Sequence, residues 1–551
     1  SAQKGDGGFV EVSGKRFLDF GGDVDLSGAR LGTLLLDPDD IDIVAGSANS
    51  GEIGDGIIDF ADAGATNATT TEIGADDIAG RLSSNANVIL QANNTIDVNA
   101  AVTSTGAGDL TLQTGAGGTI TVNAAIDVNS GNLTLEADNM TIGADLSTAG
   151  TLTIEEATDS RSIGLGSGAG NLSIDNTELG RLSAASFIFG GSNGTDGTSG
   201  DMQINTNHDF GDANVTFRSG GDIDLAGTLT KATGAGTVNY IFEADGNIFN
   251  SNSADVVRSD GTINLTLNSD KDADDDGAIT LGNFAFTSNG GNFTAGGGAD
   301  PTTGYATFGA GSAGDGVILV NTSLNAAGGN IRILGKGSSN ASCFNNCWGI
   351  YTSNITLQTS GTGTIMLDGI GGGNAGGSYN SALHLYGSTF DTANGDISMT
   401  GESTGTGGSN ANITFNDVDL TTSGTGSIHL IAKNNHIGTW GTLSNFTSNN
   451  DITIQSDDYS RLDPTFYSIA AVDALSFEEY TDGTSISIGS TANTIDITNA
   501  MLAQTSAAHY IFGGSNGTDG TSGDMVINTS HDFADSNVTF RSGADIDLAG
   551  T

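Results

Sequence analysis

Proline, cysteine and long apolar runs are all scarce in this chain of 551 residues. Only 3 prolines occur, so the hydrogen-bond ladders of β-strands are seldom interrupted. Only 2 cysteines occur, which excludes the small disulfide-rich scaffolds of secreted proteins. No stretch of about 20 apolar residues is present, and the sequence therefore predicts no membrane-spanning helix.

Basic residues are also few. Lys and Arg total 16 against 65 Asp and Glu, which gives a formal net charge of −49. A field of that sign repels nucleic acid and anionic lipid and attracts cations. We therefore expect neither a nucleic-acid partner nor insertion into a membrane. Glycine is abundant, with 85 residues, yet Ile, Leu, Val and Phe recur regularly enough between the glycines to supply a core.

A long stretch of the sequence occurs twice. Residues 187–228 and 510–551 differ at only six positions, and a weaker match at the same offset extends towards the N terminus. We predict N-terminal coils over 1–150, a first copy of a tandem module over 151–473 and the start of a second copy over 474–551. Because tandem modules build long arrays, we expect this chain to be one piece of a longer protein whose function depends on its length.

A shorter period lies within this module. The strings GNLTL, GTLTI and GNLSI begin at Gly131, Gly150 and Gly170. Each string alternates apolar and polar positions, as a half-buried strand does, and each follows residues that tolerate turns. The sequence therefore predicts many short strands at a spacing of roughly 20 residues.

Short strands at this spacing suit either a β-sandwich or a parallel β-helix. A sandwich uses antiparallel hairpins and a bounded number of strands, whereas a β-helix stacks one coil upon the next. The tandem copying and the scarcity of proline favour an all-β parallel β-helix, a solenoid with coils of roughly 20 residues. Alternation then predicts that Leu133 and Leu135 point inward and that Thr134 points outward.

The N-terminal region, over residues 1–105, carries a likeness to a known family. Residues 7–44 read GGFVEVSGKRFLDFGGDVDLSGARLGTLLLDPDDIDIV, and residues 85–103 read NANVILQANNTIDVNAAVT. These strings resemble the segment that follows the secretion domain in filamentous haemagglutinin-like exoproteins, the large adhesins of two-partner secretion. The resemblance implies a right-handed parallel β-helical fibre. It also implies export through an outer-membrane transporter and extracellular display on a Gram-negative-type bacterium.

The expected function follows from this resemblance and from the repeat. We expect a fibre in adhesion or extracellular matrix formation, whose partner is a receptor or glycan on a host, a neighbouring cell or a matrix. The alternative is a self-assembling filament in which the chain is its own partner. A polysaccharide-active β-helix is a third interpretation. Basic residues such as Arg258 are scattered and no common catalytic motif occurs, so we expect no enzyme.

An acidic loop is the most specific local motif. Residues 268–283 read NSDKDADDDGAITLGN. Asp272, Asp274 and Asp276 stand at positions 1, 3 and 5 of an EF-hand-like loop, and Gly277 stands at position 6. Hard carboxylate oxygens at this spacing suit calcium. Position 12 is Asn283 instead of the bidentate glutamate, so a weak calcium site and a solvated acidic turn both stay open. The candidate calcium ligands are Asp270, Asp272, Asp274 and Asp276.

The two cysteines stand four positions apart. A straight strand would hold Cys343 and Cys347 roughly 13 Å apart, whereas a disulfide needs Cα atoms within about 7 Å. The intervening residues must therefore turn if the pair is bonded, and an extracellular location favours oxidation. We predict a disulfide, with two free buried thiols as the alternative.

Three other repeated features receive structural interpretations. The string GGSNGTDGTSGD, at 190–201 and 513–524, is predicted to be a long surface turn. Arg218 has an equivalent in the second copy, and we expect it to cap a turn or to form an ion pair between coils. Glu155 and Glu156 are adjacent in a strand, so they should point to opposite faces and form no catalytic carboxylate pair.

Overall fold

The computed structural model describes residues 8–13, 32–46, 70–191, 200–258, 261–309, 314–338, 346–373, 380–403, 411–489, 495–514 and 523–549. Strands make up 51% and helices 4%, and the predicted fold class is confirmed: the chain is an all-β parallel β-helix. The chain divides into two compact units. The first comprises residues 1–234 with 238–243, and the second comprises 235–237 with 244–551.

The first unit consists of short strands with two helices in its described part. Its strands are β1 (Phe9–Ser13), β2 (Thr33–Asp37), β3 (Asp40–Val44), β4 (Thr71–Gly74), β5 (Asn87–Ala92), β6 (Thr95–Val98), β7 (Val102–Thr103), β8 (Leu110–Thr114), β9 (Thr119–Val122), β10 (Ile126–Asp127), β11 (Leu133–Glu136), β12 (Asn139–Ile142), β13 (Leu146–Ser147), β14 (Thr151–Glu155), β15 (Ile163–Gly166), β16 (Leu172–Ile174), β17 (Leu182–Ser183), β18 (Ser186–Phe189), β19 (Met202–Asn205), β20 (Asn214–Ser219), β21 (Ile223–Leu225), β22 (Leu229–Lys231) and β23 (Thr237–Ala244), and its helices are α1 (Ala75–Ser83) and α2 (Asn176–Leu179).

The second unit contains longer strands and, where it is described, one short helix. Its strands are β24 (Ile248–Phe249), β25 (Asp255–Arg258), β26 (Thr262–Ser269), β27 (Ile279–Gly282), β28 (Ala285–Thr287), β29 (Phe293–Gly297), β30 (Ala306–Thr307), β31 (Val317–Val320), β32 (Ser323–Asn325), β33 (Ile331–Lys336), β34 (Ile350–Ser353), β35 (Thr356–Gln358), β36 (Ile365–Gly371), β37 (Leu383–Thr392), β38 (Ile397–Ser403), β39 (Ile413–Thr422), β40 (Ile428–Thr439), β41 (Ser444–Ser448), β42 (Ile452–Asp458), β43 (Tyr467–Ala471), β44 (Ala474–Glu478), β45 (Ile486–Gly489), β46 (Ile495–Thr498), β47 (Thr505–Ser506), β48 (His509–Phe512), β49 (Met525–Ile527), β50 (Asn537–Phe540) and β51 (Ile546–Leu548), and its helix is α3 (Asn499–Leu502).

Coils of the first unit carry three strands each between β5 and β13. Strands β5, β8, β11 and β14 form one parallel sheet, β6, β9 and β12 a second, and β7, β10 and β13 a third. Val88, Leu110, Leu133 and Leu152 stand in line across the first sheet, one from each successive coil. Their spacing along the chain matches the predicted coil of roughly 20 residues.

The interior is an apolar ladder. Leu133 and Leu135 are completely buried, and Thr134 between them is half-buried on the outer face, as predicted. Each leucine stacks on the equivalent residue of the next coil, Leu152 or Ile154. Burying such a side chain stabilises the fold by roughly 1.5–3 kcal/mol, so the ladder is the main source of stability.

Coil corners explain why glycine precedes so many strands. A Cβ at Gly131 would lie 2.0 Å from the carbonyl oxygen of Gly108, and one at Gly150 would lie 2.6 Å from that of Gly131. The backbones of successive coils approach too closely here for any side chain. The sequence interpretation, that these glycines serve turn conformations, was incomplete because the close approach belongs to the stacked coils.

Asparagine and aspartate at the same corners have a second role. Asn87 Oδ1 accepts a hydrogen bond from the backbone N–H of Asp109 at 3.0 Å, Asp109 Oδ1 from Asn132 at 2.7 Å, and Asn132 Oδ1 from Thr151 at 2.9 Å. A similar ladder runs through the second unit, where Asn292 Oδ1 accepts from the N–H of Asn330 at 2.8 Å. These side chains tie each coil to the next one.

Coils elsewhere are longer than the sequence period predicts. Leu152 pairs with Phe187 in the next coil of the first unit, and in the second unit Phe293 pairs with Ile331. The string at Gly170 is not the next coil of the first sheet, because its strand β16 pairs with β15 on another face. Strands at similar spacings can belong to different faces of one coil, and sequence spacing does not distinguish them.

The tandem repeat is also a repeat of elements. Strands β14 to β21 recur in the same order as β44 to β51, and helix α2 recurs as α3, at the offset that separates Phe187 from Tyr510. Asp175 caps α2 through hydrogen bonds from the N–H groups of Thr177 and Glu178, and its equivalent Thr498 caps α3. A one-turn helix with a polar N-cap therefore survives where the two sequences have diverged.

Candidate functional site

The acidic loop connects β26 to β27 in the second unit. It begins at Asp270, directly after the buried Ser269, whose hydroxyl donates to the carbonyl oxygen of Gly277 at 2.8 Å. Asp270 Oδ1 accepts hydrogen bonds from the backbone N–H groups of Asp275 at 3.0 Å and Asp276 at 3.4 Å. The loop is therefore held in a closed curl by its own first carboxylate.

Three of the four predicted ligands come together. The carboxylates of Asp270, Asp272 and Asp274 can place oxygen atoms within 4.8 Å of one another, with Asp270 buried and the other two exposed. Calcium binds oxygens at 2.3–2.6 Å, so two ligands of one ion lie at most about 5 Å apart. The spacing and the all-oxygen donor set both fit calcium.

Backbone conformation produces this convergence. Asp270, Ala273 and Asp275 have φ angles of 50°, 60° and 69°, in the left-handed region that residues other than glycine rarely occupy. A straight strand would also put alternate side chains on one face, but about 7 Å apart from one to the next, so these reversals are what brings the carboxylates closer together.

Asp270 lies in an environment that disfavours its charge. Burial raises the pKa of Asp270 to about 6, the neighbouring carboxylates of Asp275 and Asp272 act in the same direction, and the two backbone hydrogen bonds oppose them. A divalent cation between the three carboxylates would neutralise this repulsion.

The structure does not bring the fourth predicted ligand into the group. Asp276 lies instead beside Gly309. A Cβ added to Gly309 would be 2.1 Å from Asp276 Oδ1. The neighbouring Asp275 forms an ion pair with Lys336, whose Nζ lies 2.6 Å from Asp275 Oδ1. Asn283, the residue at position 12, accepts a hydrogen bond from Asn321 at 3.2 Å, between adjacent coils.

Gly277 has a different role from the one that the motif suggests. The φ angle of Gly277 is not positive, but a Cβ at this residue would lie 2.2 Å from the backbone nitrogen of Asp270. Glycine at this position lets the end of the loop close against its beginning.

No family model matches the chain, and no curated protein matches it. The likeness to filamentous haemagglutinin-like exoproteins therefore stays a prediction. Within the described ranges, no helix is long and apolar enough to cross a membrane.

The predicted disulfide is only half described. Cys347 is completely buried in the second unit, and the part of the chain that the structure describes contains no free cysteine. Cys343 lies outside the described residues, so the bond between the two cysteines stays a prediction. The same holds for most of the glycine-rich turn, because residues 192–199 and 515–522 lie outside them.

Two structural interpretations are confirmed. Arg218 Nε lies 2.9 Å from Glu243 Oε2 on another coil of the first unit, which is the predicted ion pair between coils. Glu155 is half-buried on one face and Glu156 buried on the other, so they form no dyad.

Sequence reasoning missed an aromatic surface in the second unit. We call it the aromatic face and define it by Trp348, Tyr351, His384, Tyr386 and Trp440. The chain has only 2 tryptophans, and both lie here. The signal was available: tryptophan is absent from the strands that form the core, which use phenylalanine, and each of the three aromatic strand positions follows a buried aliphatic residue.

A cluster of charged groups on the outer surface of the second unit was also missed. Tyr305 donates a hydrogen bond to Asp368, and Lys433 lies 3.7 Å from Glu402. Burial raises the pKa of Asp368, and Glu402 adds to this effect, while Lys433 and Tyr305 oppose it. These residues come from three coils and a loop, and no spacing in the sequence connects them.

Proposed function

We propose that this chain is part of an extracellular β-helical fibre that acts in adhesion or matrix formation. The observation that carries the proposal is the recurrence of a whole series of elements, β14 to β21 and β44 to β51, at one fixed offset. Repeating a coil series adds surface and length without adding a new core. Length and a repeated surface are what an adhesive fibre needs, because weak contacts made many times add up.

The surface chemistry supports the same proposal. Outward positions are mostly Asn, Thr, Ser and Asp, and the net charge is −49. Such a surface favours solubility and disfavours adsorption to nucleic acid or anionic lipid. We also propose export through an outer-membrane transporter and display on a Gram-negative-type cell, because the family resemblance implies both.

Calcium at the acidic loop is a further part of this proposal. Asp270, Asp272 and Asp274 would hold the ion, and two of them are exposed, so the affinity is weak, with a dissociation constant on the order of 10⁻⁴–10⁻³ M. Such a site fills outside a cell and empties at cytosolic calcium levels. Binding would then favour the folded loop after export.

The fibre proposal is tested by attachment and by imaging of the same purified chain. Beads coated with it should attach to cell or matrix surfaces better than beads coated with serum albumin. Single particles in electron micrographs should stay separate under these conditions. Equal attachment of the two bead types contradicts adhesion, and regular joined filaments together with equal attachment favour the self-assembling alternative.

A polysaccharide-active β-helix is the second candidate, and the charged cluster favours it. Burial raises the pKa of Asp368, and Lys433 forms an ion pair with Glu402, so the two carboxyl groups lie in different electrostatic environments. Glycoside hydrolysis uses two carboxyl groups whose environments differ, one as the acid and the other as the base or nucleophile. New reducing ends from neutral or acidic polysaccharides, lost in Asp368→Asn and kept in the control Asp391→Asn, would support this activity. Their absence from the wild-type reaction would reject it.

A further inference from the structure

The aromatic face spans four successive coils of the second unit. Tyr351 pairs with His384, His384 with Thr414, and Thr414 with Gly438, so these positions form one row across the sheet. Tyr386 stands in the adjacent row, next to Asn416. Because strands in a sheet are about 4.8 Å apart, the face presents groups at a regular spacing along the coil axis.

Four of its five rings form a connected cluster. Trp348 stacks on His384 with centroids 4.3 Å apart at 13°, and on Tyr351 at 4.7 Å and 26°. Trp440 lies 6.2 Å from His384. Trp440 and Tyr386 are 47% and 42% exposed, which sets them apart from the buried aromatics of the core.

The polar groups around the rings include carboxylates, an amide and an arginine. Asp417 is exposed beside the buried Asn416, whose Oδ1 accepts a hydrogen bond from the N–H of Thr442 at 2.9 Å. Asp315 accepts one from the N–H of Trp348 at 2.8 Å. Burial lowers the pKa of His384 to about 4, so this ring is neutral at physiological pH. His384 therefore supplies no positive charge, and the basic residue beside the row is Arg461, whose Cβ would lie 3.6 Å from a Cβ at Gly438.

We propose that the aromatic face binds an uncharged polysaccharide, whose pyranose rings stack on Trp440 and Tyr386. Apolar C–H faces of sugar rings pack against aromatic rings, and the sugar hydroxyls can donate to nearby carboxylate and carbonyl oxygens. The net charge of −49 disfavours uronates and sulfated sugars by like-charge repulsion. This inference rests on the proposed adhesive function and gives it a ligand class.

Affinity electrophoresis of the full chain tests the proposal with hydroxyethylcellulose and galactomannan as neutral probes and polygalacturonate as the acidic one. Wild type should be retarded by at least one neutral probe and not by polygalacturonate. Trp440→Ala and Tyr386→Ala should each weaken binding about tenfold, the effect of losing one strong contact residue, and Trp440→Phe should keep most of it. Val472→Ala, at an exposed apolar residue in a turn, should bind like wild type.

Several outcomes would overturn the inference. The first is that neither neutral probe retards the wild type, and the second is that polygalacturonate retards it more strongly than the neutral probes do. The third is that the Trp440→Ala, Tyr386→Ala double variant, with unchanged circular dichroism, is retarded as much as the wild type. The fourth is that the wild type binds polylysine through Trp440 and binds no glycan. The bead assay separates the two proposals. Polysaccharide binding without attachment contradicts adhesion alone, and attachment that the double variant keeps contradicts the aromatic face alone.

Discussion

A lysine is fully buried in the first unit, and its surroundings show how single polar residues are tolerated in this fold. Lys231 Nζ donates to the carbonyl oxygens of Gly211 at 2.9 Å and Thr233 at 3.0 Å, and to Asp212 Oδ1 at 2.6 Å. All three of its N–H donors therefore have acceptors. A buried ammonium group is stable only when it is paired in this way.

Replacing this lysine should destabilise the first unit locally. Lys231→Met leaves two carbonyl oxygens and a carboxylate without their donor, and we expect a loss of about 2–4 kcal/mol. Hydrogen exchange of the full chain measures this loss of stability as reduced protection of the backbone amides around residues 211–233. The control is Lys433→Met, which removes a surface ion pair and should cost below about 1 kcal/mol. Equal protection in the two variants would contradict the assigned role.

Asp315 gives the second unit a dependence on pH. Burial raises its pKa to about 7, against a hydrogen bond from the N–H of Trp348 that acts in the opposite direction. The unfolded value is about 3.9. Between these values the folded state binds more protons than the unfolded state, so this residue's contribution to stability falls as pH rises from about 4 to about 7.

Asp315→Asn should remove this dependence. The free energy of unfolding of wild type, measured relative to the variant, should fall by up to about 1.4 kcal/mol per pH unit across this window. Urea denaturation of both proteins at several pH values, followed by circular dichroism, provides the comparison. A difference between the two proteins that stays constant from pH 4 to pH 7 would show that Asp315 does not titrate there.

At the scale of the element, the coil corner limits which residues can occupy it. A Cβ at Gly131 would lie 2.0 Å from the carbonyl oxygen of Gly108, while a Cβ at Gly80, on helix α1, would meet no atom within 4 Å. Both positions therefore test the same added methyl group in opposite environments.

We expect Gly131→Ala to destabilise the first unit by about 1–3 kcal/mol, because the stacked coils must separate. Gly80→Ala should stabilise it by up to about 1 kcal/mol through the helix preference of alanine. The midpoint of thermal unfolding gives the sign of each change. A Gly131→Ala variant as stable as wild type would mean that the coils do not approach as closely as described.

Two adjacent positions in strand β11 allow the effect of an added charge to be compared between the inner and outer faces. Leu135 is completely buried and Thr134 beside it is half-buried. Leu135→Asp should cost several kcal/mol or open its coil, since it places a charge in an apolar ladder. Thr134→Asp adds the same charge on the outer face and should change stability by less than about 1 kcal/mol. Protease sensitivity and urea denaturation distinguish the two variants, and a reversed order would place the register one residue away.

At the scale of the whole molecule, each coil depends on its neighbour for burial. Ile223 and Leu225 are 0% and 2% exposed, and they pair with Met202 and Ile204 of the preceding coil. Stability in this fold therefore belongs to stacked coils and not to single ones.

Charge acts on the whole molecule as well, and calcium should reduce its self-repulsion. Calcium at 100 times the dissociation constant would add about 2.7 kcal/mol to the stability of the acidic loop. We expect millimolar calcium to raise the thermal midpoint of the full chain more than magnesium does at equal concentration. The Asp272→Asn, Asp274→Asn double variant should lose this difference.

The control variant removes two charges elsewhere. Asp159→Asn with Asp482→Asn changes the net charge equally at two exposed positions that correspond in the two copies. It should keep the preference for calcium over magnesium. A preference that is equal in all three proteins would leave the acidic loop as a solvated turn.

The sequence by itself determined what depends on neighbouring residues. Alternation within GNLTL placed Leu133 and Leu135 inside, because successive side chains in a strand point to opposite faces. The repeat, the scarcity of proline and the run of short strands determined the fold class. The spacing of the aspartates placed Asp272, Asp274 and Asp276 at positions 1, 3 and 5 of a calcium loop, whereas the structure groups Asp272 and Asp274 with Asp270.

Only the tertiary structure decided what depends on coil stacking. Sequence spacing could not assign β16 to its face or give the long coil from Phe293 to Ile331, since loops between strands carry no periodic signal. It could not bring Lys336 to Asp275, 61 residues away, or join Trp348 to Trp440 in one aromatic face. Residues far apart in the chain become neighbours here because successive coils are stacked at a fixed distance, and the length of each coil decides which residues meet.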